Sequence, residues 1–329
     1  MGSYLLRRVL VMFPTLIGVS FFVFILINLP PGSYLDAYVA QLQADGMDVT
    51  RDQMAAIERR YGFDQPLFVQ YWRWISGFPR GDFGVSFLYH GRRTGAIIGP
   101  YMANTAILAF MTQAFILGVG IPIGIYSARH QYTLGDNLFT FIGFVGLSIP
   151  NFLLALILMF LAYALFNVPS VGGLFSDEYL GQPWSFGKGI DMLKHLWVPV
   201  IVLGTAGTAG TIRKMRANLL DVLKIQYVMT ARSKGLPERR VVYKHAVRNA
   251  LSPIIMSVGM WFPQLIAGAT IVSIVLSLPT LGPILFQALR MQDMYLAGSI
   301  LFLQCCLLLL GNLLADIALA LNDPRIEYS

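Results

Sequence analysis

The feature that most constrains this chain is a series of long stretches almost free of Lys, Arg, Asp and Glu. A hydrocarbon core about 30 Å thick takes about 20 apolar residues in a helix to cross. Six stretches approach or exceed that length: Val9–Leu29, Asn104–Ala128, Leu138–Phe166, Leu196–Ile212, Ile254–Leu278 and Tyr295–Leu321, the last interrupted only by Asp316. In lipid a segment must satisfy its own backbone hydrogen bonds, so each run is expected to be a helix. The predicted fold is therefore all-α, a polytopic membrane protein of six transmembrane helices. Composition agrees: 56% of residues are of the AVILMFWYC class and 12% are charged, against roughly 25% charged in soluble domains. The first run follows Arg7 and Arg8, as a secretory signal would, but it ends in Asn28-Leu29-Pro30-Pro31-Gly32 without an Ala-x-Ala site. An uncleaved first span is the expectation.

Basic residues in loops stay on the cytoplasmic side of a membrane, and they orient the six runs. Between the fourth and fifth lie Arg213, Lys214, Arg216, Lys224, Arg232, Lys234, Arg239, Arg240, Lys244 and Arg248, against Asp221 and Glu238 alone. With that connection cytoplasmic, Arg7 and Arg8, Arg129 and Arg325 fall on the same side, and both termini are expected there. The segment from Pro30 to Ala103 is then external, and its seven basic residues are balanced by seven acidic ones. The net charge of +7 is thus explained by loop position, and no nucleic-acid-binding motif accompanies it.

Within the external segment, Thr50-Arg51-Asp52-Gln53 has the form of a capping box that opens a helix, and Asp64-Gln65-Pro66 is expected to end it. Beyond the proline, Leu67, Phe68, Tyr71, Trp72 and Ile75 recur at helical spacing, predicting an apolar face for the membrane surface or the neighbouring spans. On the cytoplasmic side, helix formers precede Gly235, which is placed to adopt a positive φ before Leu236-Pro237. A second helix from about Glu238 is expected to align Val241, Val242, His245, Ala246, Asn249 and Ala250 on one stripe. Charge alone is accounted for by topology and anionic lipid. Residue order says more.

The stretch supplies Tyr227, Thr230, Ala231, Arg232, Lys234, Gly235 and Leu236, then His245, Ala246, Arg248, Asn249, Ala250 and Pro253. In that order it resembles the cytoplasmic EAA loop of ABC-importer permeases of the dipeptide/oligopeptide/nickel family. Met229 and Thr230 stand where the general pattern has Glu and Ala. The resemblance extends over nearly the whole chain, through Leu6-Arg7-Arg8, Pro31-Gly32, Tyr61-Gly62-Phe63-Asp64-Gln65-Pro66, Gly81-Asp82-Phe83-Gly84-Val85-Ser86 and Asp323-Pro324-Arg325. Pro30-Pro31-Gly32-Ser33 departs from the family's frequent Pro-Gly-Asp-Pro.

The resemblance implies a permease subunit of an ATP-driven, binding-protein-dependent importer for di- or oligopeptides, with oligosaccharide or nickel-type cargo as alternatives. It implies an N-terminal span and external segment over 1–103, a transport core over 104–322 with its coupling loop at about 213–253, and a cytoplasmic tail over 323–329. The implied partners are a second homologous permease, two cytoplasmic ATPase subunits, an extracytoplasmic substrate-binding protein and the lipid bilayer. The residues implied to couple to the ATPase are Tyr227, Thr230, Ala231, Arg232, Lys234, Gly235, Leu236, His245, Arg248 and Asn249, with Arg232 offering a polar contact. The location implied is a bacterial inner membrane.

Other classes lack their residues. His90, His130, His195 and His245 are scattered, and the His-Glu-x-x-His pattern of a zinc protease is missing. The stretch Gly181–Gly189 is not a phosphate-binding loop, since Gly189 replaces its Ser or Thr and the spacing is one residue too long. ATP hydrolysis is therefore assigned to other chains, and no cofactor or catalytic residue is expected. Cys305 and Cys306 are adjacent in an apolar run and are read as packing or lipid-facing residues. A secondary transporter is the alternative of a different class, but it should carry intramembrane charges and related halves, and Asp316 is the only ionisable residue inside a run. Gln113, Gln264, Gln304 and Asn312 are candidates for interhelical hydrogen bonds, and Gly118, Gly120 and Gly124 for close helix approach.

Overall fold

The computed structural model of the chain describes residues 2–29, 59, 64–89, 91–166, 172–259 and 261–322. The capping box at Thr50-Arg51-Asp52-Gln53, the Pro30–Asp36 stretch and Asp323-Pro324-Arg325 lie outside them. So do Tyr61, Gly62 and Phe63. Among the described residues the fold is helical, with one isolated antiparallel bridge, Val85 to Arg93. In chain order the helices are α1 (Gly2–Asn28), α2 (Leu67–Gly77), α3 (Thr94–Arg129), α4 (Leu134–Ser148), α5 (Asn151–Phe166), α6 (Phe186–Val222) and α7 (Gln226–Ser233). There follow α8 (Glu238–Arg240), a π-helical turn (Val241–Ala246), α9 (Val247–Ala250), α10 (Ser252–Gly259), α11 (Trp261–Val275), α12 (Leu281–Arg290) and α13 (Met294–Asn322).

Four helices, α1, α3, α6 and α13, are long and apolar enough to cross a membrane, and α4 with α5 makes a fifth if that pair is one span. The third predicted span is thus broken: α4 and α5 meet at Ile149-Pro150 with a bend of 105°. Proline has no N–H and disfavours a helical residue before it, and Ile149 is accordingly extended at φ −85°, ψ 124°. The predicted span Ile254–Leu278 is divided between α10, of 8 residues, and α11, of 15. At 1.5 Å per residue α11 reaches only about 23 Å, so six spans exceed what helix length alone supports.

The chain forms two compact units, one of Thr105–Pro279 with Leu308–Ser329, the other of Gly2–Asn104 with Thr280–Leu307. In the second, α1 and α2 are joined by an aromatic cluster in which Phe24 and Tyr71 are 5.4 Å apart edge to face and Trp74 packs on Phe78 at 5.0 Å. The hydroxyls of Ser20 and Tyr71 are hydrogen-bonded at 2.8 Å. Gln70, Tyr71 and Trp74 are the buried face of α2, whereas Leu67, Phe68 and Trp72 stay exposed. The apolar face expected at Leu67, Phe68, Tyr71, Trp72 and Ile75 is therefore divided between internal packing and the surface. In the same unit Gly84 takes φ +77°, and a Cβ there would lie 2.5 Å from the ring of Tyr295. The Gly81-Asp82-Phe83-Gly84 sequence is a tight turn in which Asp82 Oδ1 accepts the Gly84 N–H at 3.0 Å. The fully buried Asp293 completes this corner, accepting hydrogen bonds from Ser86 Oγ (2.5 Å), Leu88 N–H (2.9 Å) and, at the start of α13, Leu296 N–H (3.0 Å).

The other unit is organised along α6, 37 residues long and capped by Ser185, whose Oγ accepts the Lys188 N–H. One apolar cluster gathers Met192, Leu196, Val198 and Val202 of α6 with Leu108, Ala155, Ala162, Val272 and Leu276. A second gathers Met215 and Leu219 with Ile125, Ala128 and the 228–254 segment. Close approach of α3 and α6 depends on two glycines: a Cβ on Gly124 would lie 2.6 Å from Met215 Cβ, and one on Gly120 2.9 Å from Thr211. Gly118 faces open space and plays no such part. Of the amides expected to bridge helices, Gln304 has its Nε2 buried without a partner among the described residues.

Candidate functional site

Past the end of α6 the chain makes a helix-turn-helix whose geometry can be built residue by residue. Helix α7 stops because Gly235 takes φ +73°. Its N–H donates to Arg232 O at 2.9 Å, and the Leu236 N–H reaches Ala231 O at 3.4 Å. These two bonds make a Schellman end, satisfying carbonyls that the helix itself leaves orphaned. Ala231 and Leu236 lie in the same apolar cluster, the hydrophobic contact that accompanies this motif. Pro237 then precedes α8.

The underside of the motif is sealed. Val228, Val241, Val242, Ala246 and Ala250 are each at most 1% exposed and pack with Ile125 and Ala128 of α3 and Met215 and Leu219 of α6. The π-helical turn adds a residue to the period and changes the predicted stripe: Val247 turns inward and Asn249 outward. Asn249 is used nonetheless. Its Nδ2 donates to Tyr227 Oη at 2.7 Å, and that hydroxyl donates to His245 O at 3.3 Å, tying the two arms together. Asn218 Nδ2 of α6 donates to Ala250 O at 3.3 Å, fastening the second arm to the long helix.

The structure thus brings Tyr227, His245 and Asn249 into one cross-link and puts Ala231, Gly235 and Leu236 in the turn. Thr230 Oγ1 donates to Gln226 O within its own helix at 2.9 Å. Lys234 and Arg248 are exposed. Arg232, expected to offer a polar contact, forks onto Glu238 across the turn, with Nε to Oε2 at 3.1 Å and NH2 to Oε1 at 2.7 Å. That pairing holds the Glu238 carboxyl below its ordinary pKa and raises that of Arg232. The outward surface presents Met229, 52% exposed, and Tyr243, 51% exposed, among Lys234, Arg239, Arg240 and Lys244. In the sequence Met229 stands out only as a departure from the general pattern and Tyr243 not at all, though isolated apolar residues in a basic loop are the available signal.

Close by, Asp136 in the first turn of α4 is 3% exposed and accepts from Arg216 NH2 of α6 at 3.0 Å and from the N–H of Tyr132, itself at φ +61°, at 3.0 Å. The pair is not legible in the sequence, because 80 positions separate its members. The arrangement as a whole is a rigid, apolar-backed knob fixed to the ends of two long helices, α3 and α6. Its exposed face carries cationic and aromatic groups and no nucleophile with an adjacent base.

Comparison with known proteins accounts for the whole length. Residues 120–328 match the model of the binding-protein-dependent transport system inner membrane component, and residues 1–94 match the N-terminal model of the same membrane components. The chain is 35% identical over 328 residues to the oligopeptide transport system permease protein AppB of Bacillus subtilis, covering 100% of both chains. It is 32% identical over 343 residues to the dipeptide transport system permease protein DppB of Alkalihalophilus pseudofirmus, again with 100% of each covered. The DppB protein of Escherichia coli K12 is 29% identical over 343 residues, covering 100% of this chain and 99% of that one. The chain belongs to the family of binding-protein-dependent transport system inner membrane components.

Proposed function

We infer that the chain is one of two permease subunits of an ATP-driven, binding-protein-dependent importer, and that it forms half of the pathway for di- and oligopeptides. The observation that carries this reading is the helix-turn-helix at 226–250: apolar beneath, cationic and aromatic outside, and rooted in two unbroken helices. A knob of that kind suits a groove in a cytoplasmic ATPase subunit. Closure of an ATPase pair would displace it as a rigid body and the spans with it, because a switch needs contacts that differ between two states. ATP hydrolysis is then the task of the partner subunits. Peptide cargo is supported by the names of the relatives. Oligosaccharide or nickel-type cargo is the second reading, favoured by the Pro30-Pro31-Gly32-Ser33 variant.

Parity gives four crossings up to the basic connection, and six in all if Arg325 is cytoplasmic too, since α13 crosses once and the α10–α11 segment must then cross. If Arg7 and Arg8 and the 213–248 connection share the cytoplasmic side, an even number of crossings separates them. With α1, α3 and α6 each crossing once, the α4–α5 pair must cross as well. Residues 104–322 form the core with the coupling loop, 1–103 the added span and external segment, and 323–329 a cytoplasmic tail. The partners are a homologous second permease, two ATPases and an extracytoplasmic binding protein, in a bacterial inner membrane.

The test is purification of tagged chain from native membranes, beside a Gly235→Val variant whose β-branched side chain is disfavoured at positive φ. Co-purification of a second permease and ATPases, with only the ATPases lost in the variant, is the expected result. A chain that purifies alone and drives ion-coupled flux in liposomes overturns it in favour of a secondary transporter.

A further inference from the structure

At the start of α6 lies a cavity of about 850 Å³, lined by Phe175, Asp177, Leu180, Lys194, His195 and Trp197 among others, all within one compact unit. That volume falls in the range of small-molecule sites, about 300–1,000 Å³. The frame around it is held firmly. The Gly173 N–H donates to Leu276 O at 2.7 Å, and both oxygens of Asp191 are engaged by Ser176, through its N–H at 2.7 Å and its Oγ at 2.6 Å. Lys188 Nζ donates to Gln182 O at 2.6 Å and lies 4.7 Å from the centre of the Phe175 ring. His195 Nδ1 donates to Asp191 O at 2.9 Å.

Asp191 and Lys188 are thus committed to structure, and Asp177 and Lys194 are not. Both are exposed on the cavity wall, and among the described residues neither forms a salt bridge. One carboxylate and one ammonium outside any salt bridge, the ammonium adding only its field to nearby Asp191, with Phe175, Leu180 and Trp197 in the same wall, match a ligand with one charge of each sign and apolar substituents. An uncharged sugar uses neither charge. From Lys194 to Arg213 the continuous helix rises 19 residues, about 29 Å at 1.5 Å each. The cavity therefore stands at the opposite membrane face from the basic loop, the face from which cargo enters an importer.

We propose that this cavity is an entry subsite on the permease itself, where Lys194 receives the terminal carboxylate and Asp177 the terminal ammonium of a short peptide. The proposal rests on the peptide-importer reading and names the contact for it. The purified full chain in lipid nanodiscs is titrated to millimolar concentrations with tri-alanine, its C-terminal amide and its N-acetyl form, with saturation transfer to the methyl groups reporting binding. Saturable binding of tri-alanine is expected, weakened about tenfold by either cap. In Lys194→Met the amide and the free acid should bind equally weakly, in Asp177→Asn the acetylated and free peptides likewise, and Lys194→Arg should retain wild-type binding. No saturable binding to wild type, or an amidation penalty undiminished in Lys194→Met, overturns the proposal. Uptake of labelled tri-alanine by cells with and without the chain separates this from the cargo reading. Chain-dependent uptake unchanged by both substitutions overturns the subsite alone, whereas absence of chain-dependent uptake overturns the cargo reading and leaves the binding titration to decide the cavity.

Discussion

At Gly124 an added Cβ would press on Met215 at 2.6 Å, while at Gly235 it would meet nothing within 4 Å but would sit on a residue at φ +73°. The two glycines are required for different reasons, and substitution separates them. Gly124→Ala should destabilise by about 1–3 kcal/mol through overpacking, and Gly235→Ala by about 1 kcal/mol through left-handed strain. Gly118→Ala, in open space within a helix, should be neutral or stabilising by up to about 1 kcal/mol. Thermal unfolding of the purified chain in detergent checks all three. Glu238 gives a pH signature of known sign. Its folded pKa lies below the ordinary value because Arg232 donates to it, so the stabilisation is present above the unfolded pKa, about 4.3, and is lost as pH falls through the folded one. The pair is exposed, at 36% and 51%, which limits its worth to less than about 1 kcal/mol. Glu238→Gln should therefore lower stability slightly at pH 7 and not at all once pH is below the folded pKa, as a melting series over pH would read. Gly235 was legible in the sequence because a glycine before Leu-Pro is a helix-stop signal. Gly124 could be singled out from Gly118 only once the facing helix was known.

Among the elements, the first turn of α4 is fastened to α6 by Asp136 and Arg216, the former 3% and the latter 29% exposed. Removing one partner strands the other, so Asp136→Ala should cost about 3 kcal/mol, and Asp136→Ala with Arg216→Met should recover most of it. A double variant no more stable than the single would refute the pairing as the cause. The helix-turn-helix was readable from Gly235-Leu236-Pro237 and from its apolar spacing. Its second arm was read with a uniform 3.6-residue period, and the π-helical turn at Val241–Ala246 displaced the stripe, exchanging Val247 for Asn249. A local widening of the helix leaves no mark in hydrophobic spacing until the residues after it are seen packed. The full reach of α6 is not legible in hydropathy, because Asp191 and Lys194 on one side and Arg213 on the other bound its apolar run. A helix continues through charged residues when its ends stand outside the bilayer.

For the whole molecule the open quantity is which connections share a side. In a background with Cys305 and Cys306 replaced by Ser, Asp177→Cys should react with an impermeant maleimide on intact spheroplasts, and Tyr243→Cys only after permeabilisation. The reverse pattern, Tyr243→Cys labelled on intact spheroplasts and Asp177→Cys protected, would make α4–α5 a re-entrant hairpin, and labelling of both from one side would mean that α6 does not cross; either removes the six-span arrangement. The apolar runs made an all-helical membrane fold legible, but hydropathy counts residues and cannot see a bend of 105° inside one run. That bend has a further consequence. Its halves hold 15 and 16 residues, about 23 and 24 Å, so neither bridges the hydrocarbon alone, and in the six-span arrangement proposed above the turn at Ile149-Pro150 would lie at depth. Non-helical backbone there is tolerated only against protein or water. A chain alone in lipid is then an imperfect insulator at this point, and the seal against leakage of protons and ions has to be completed by whatever packs beside it.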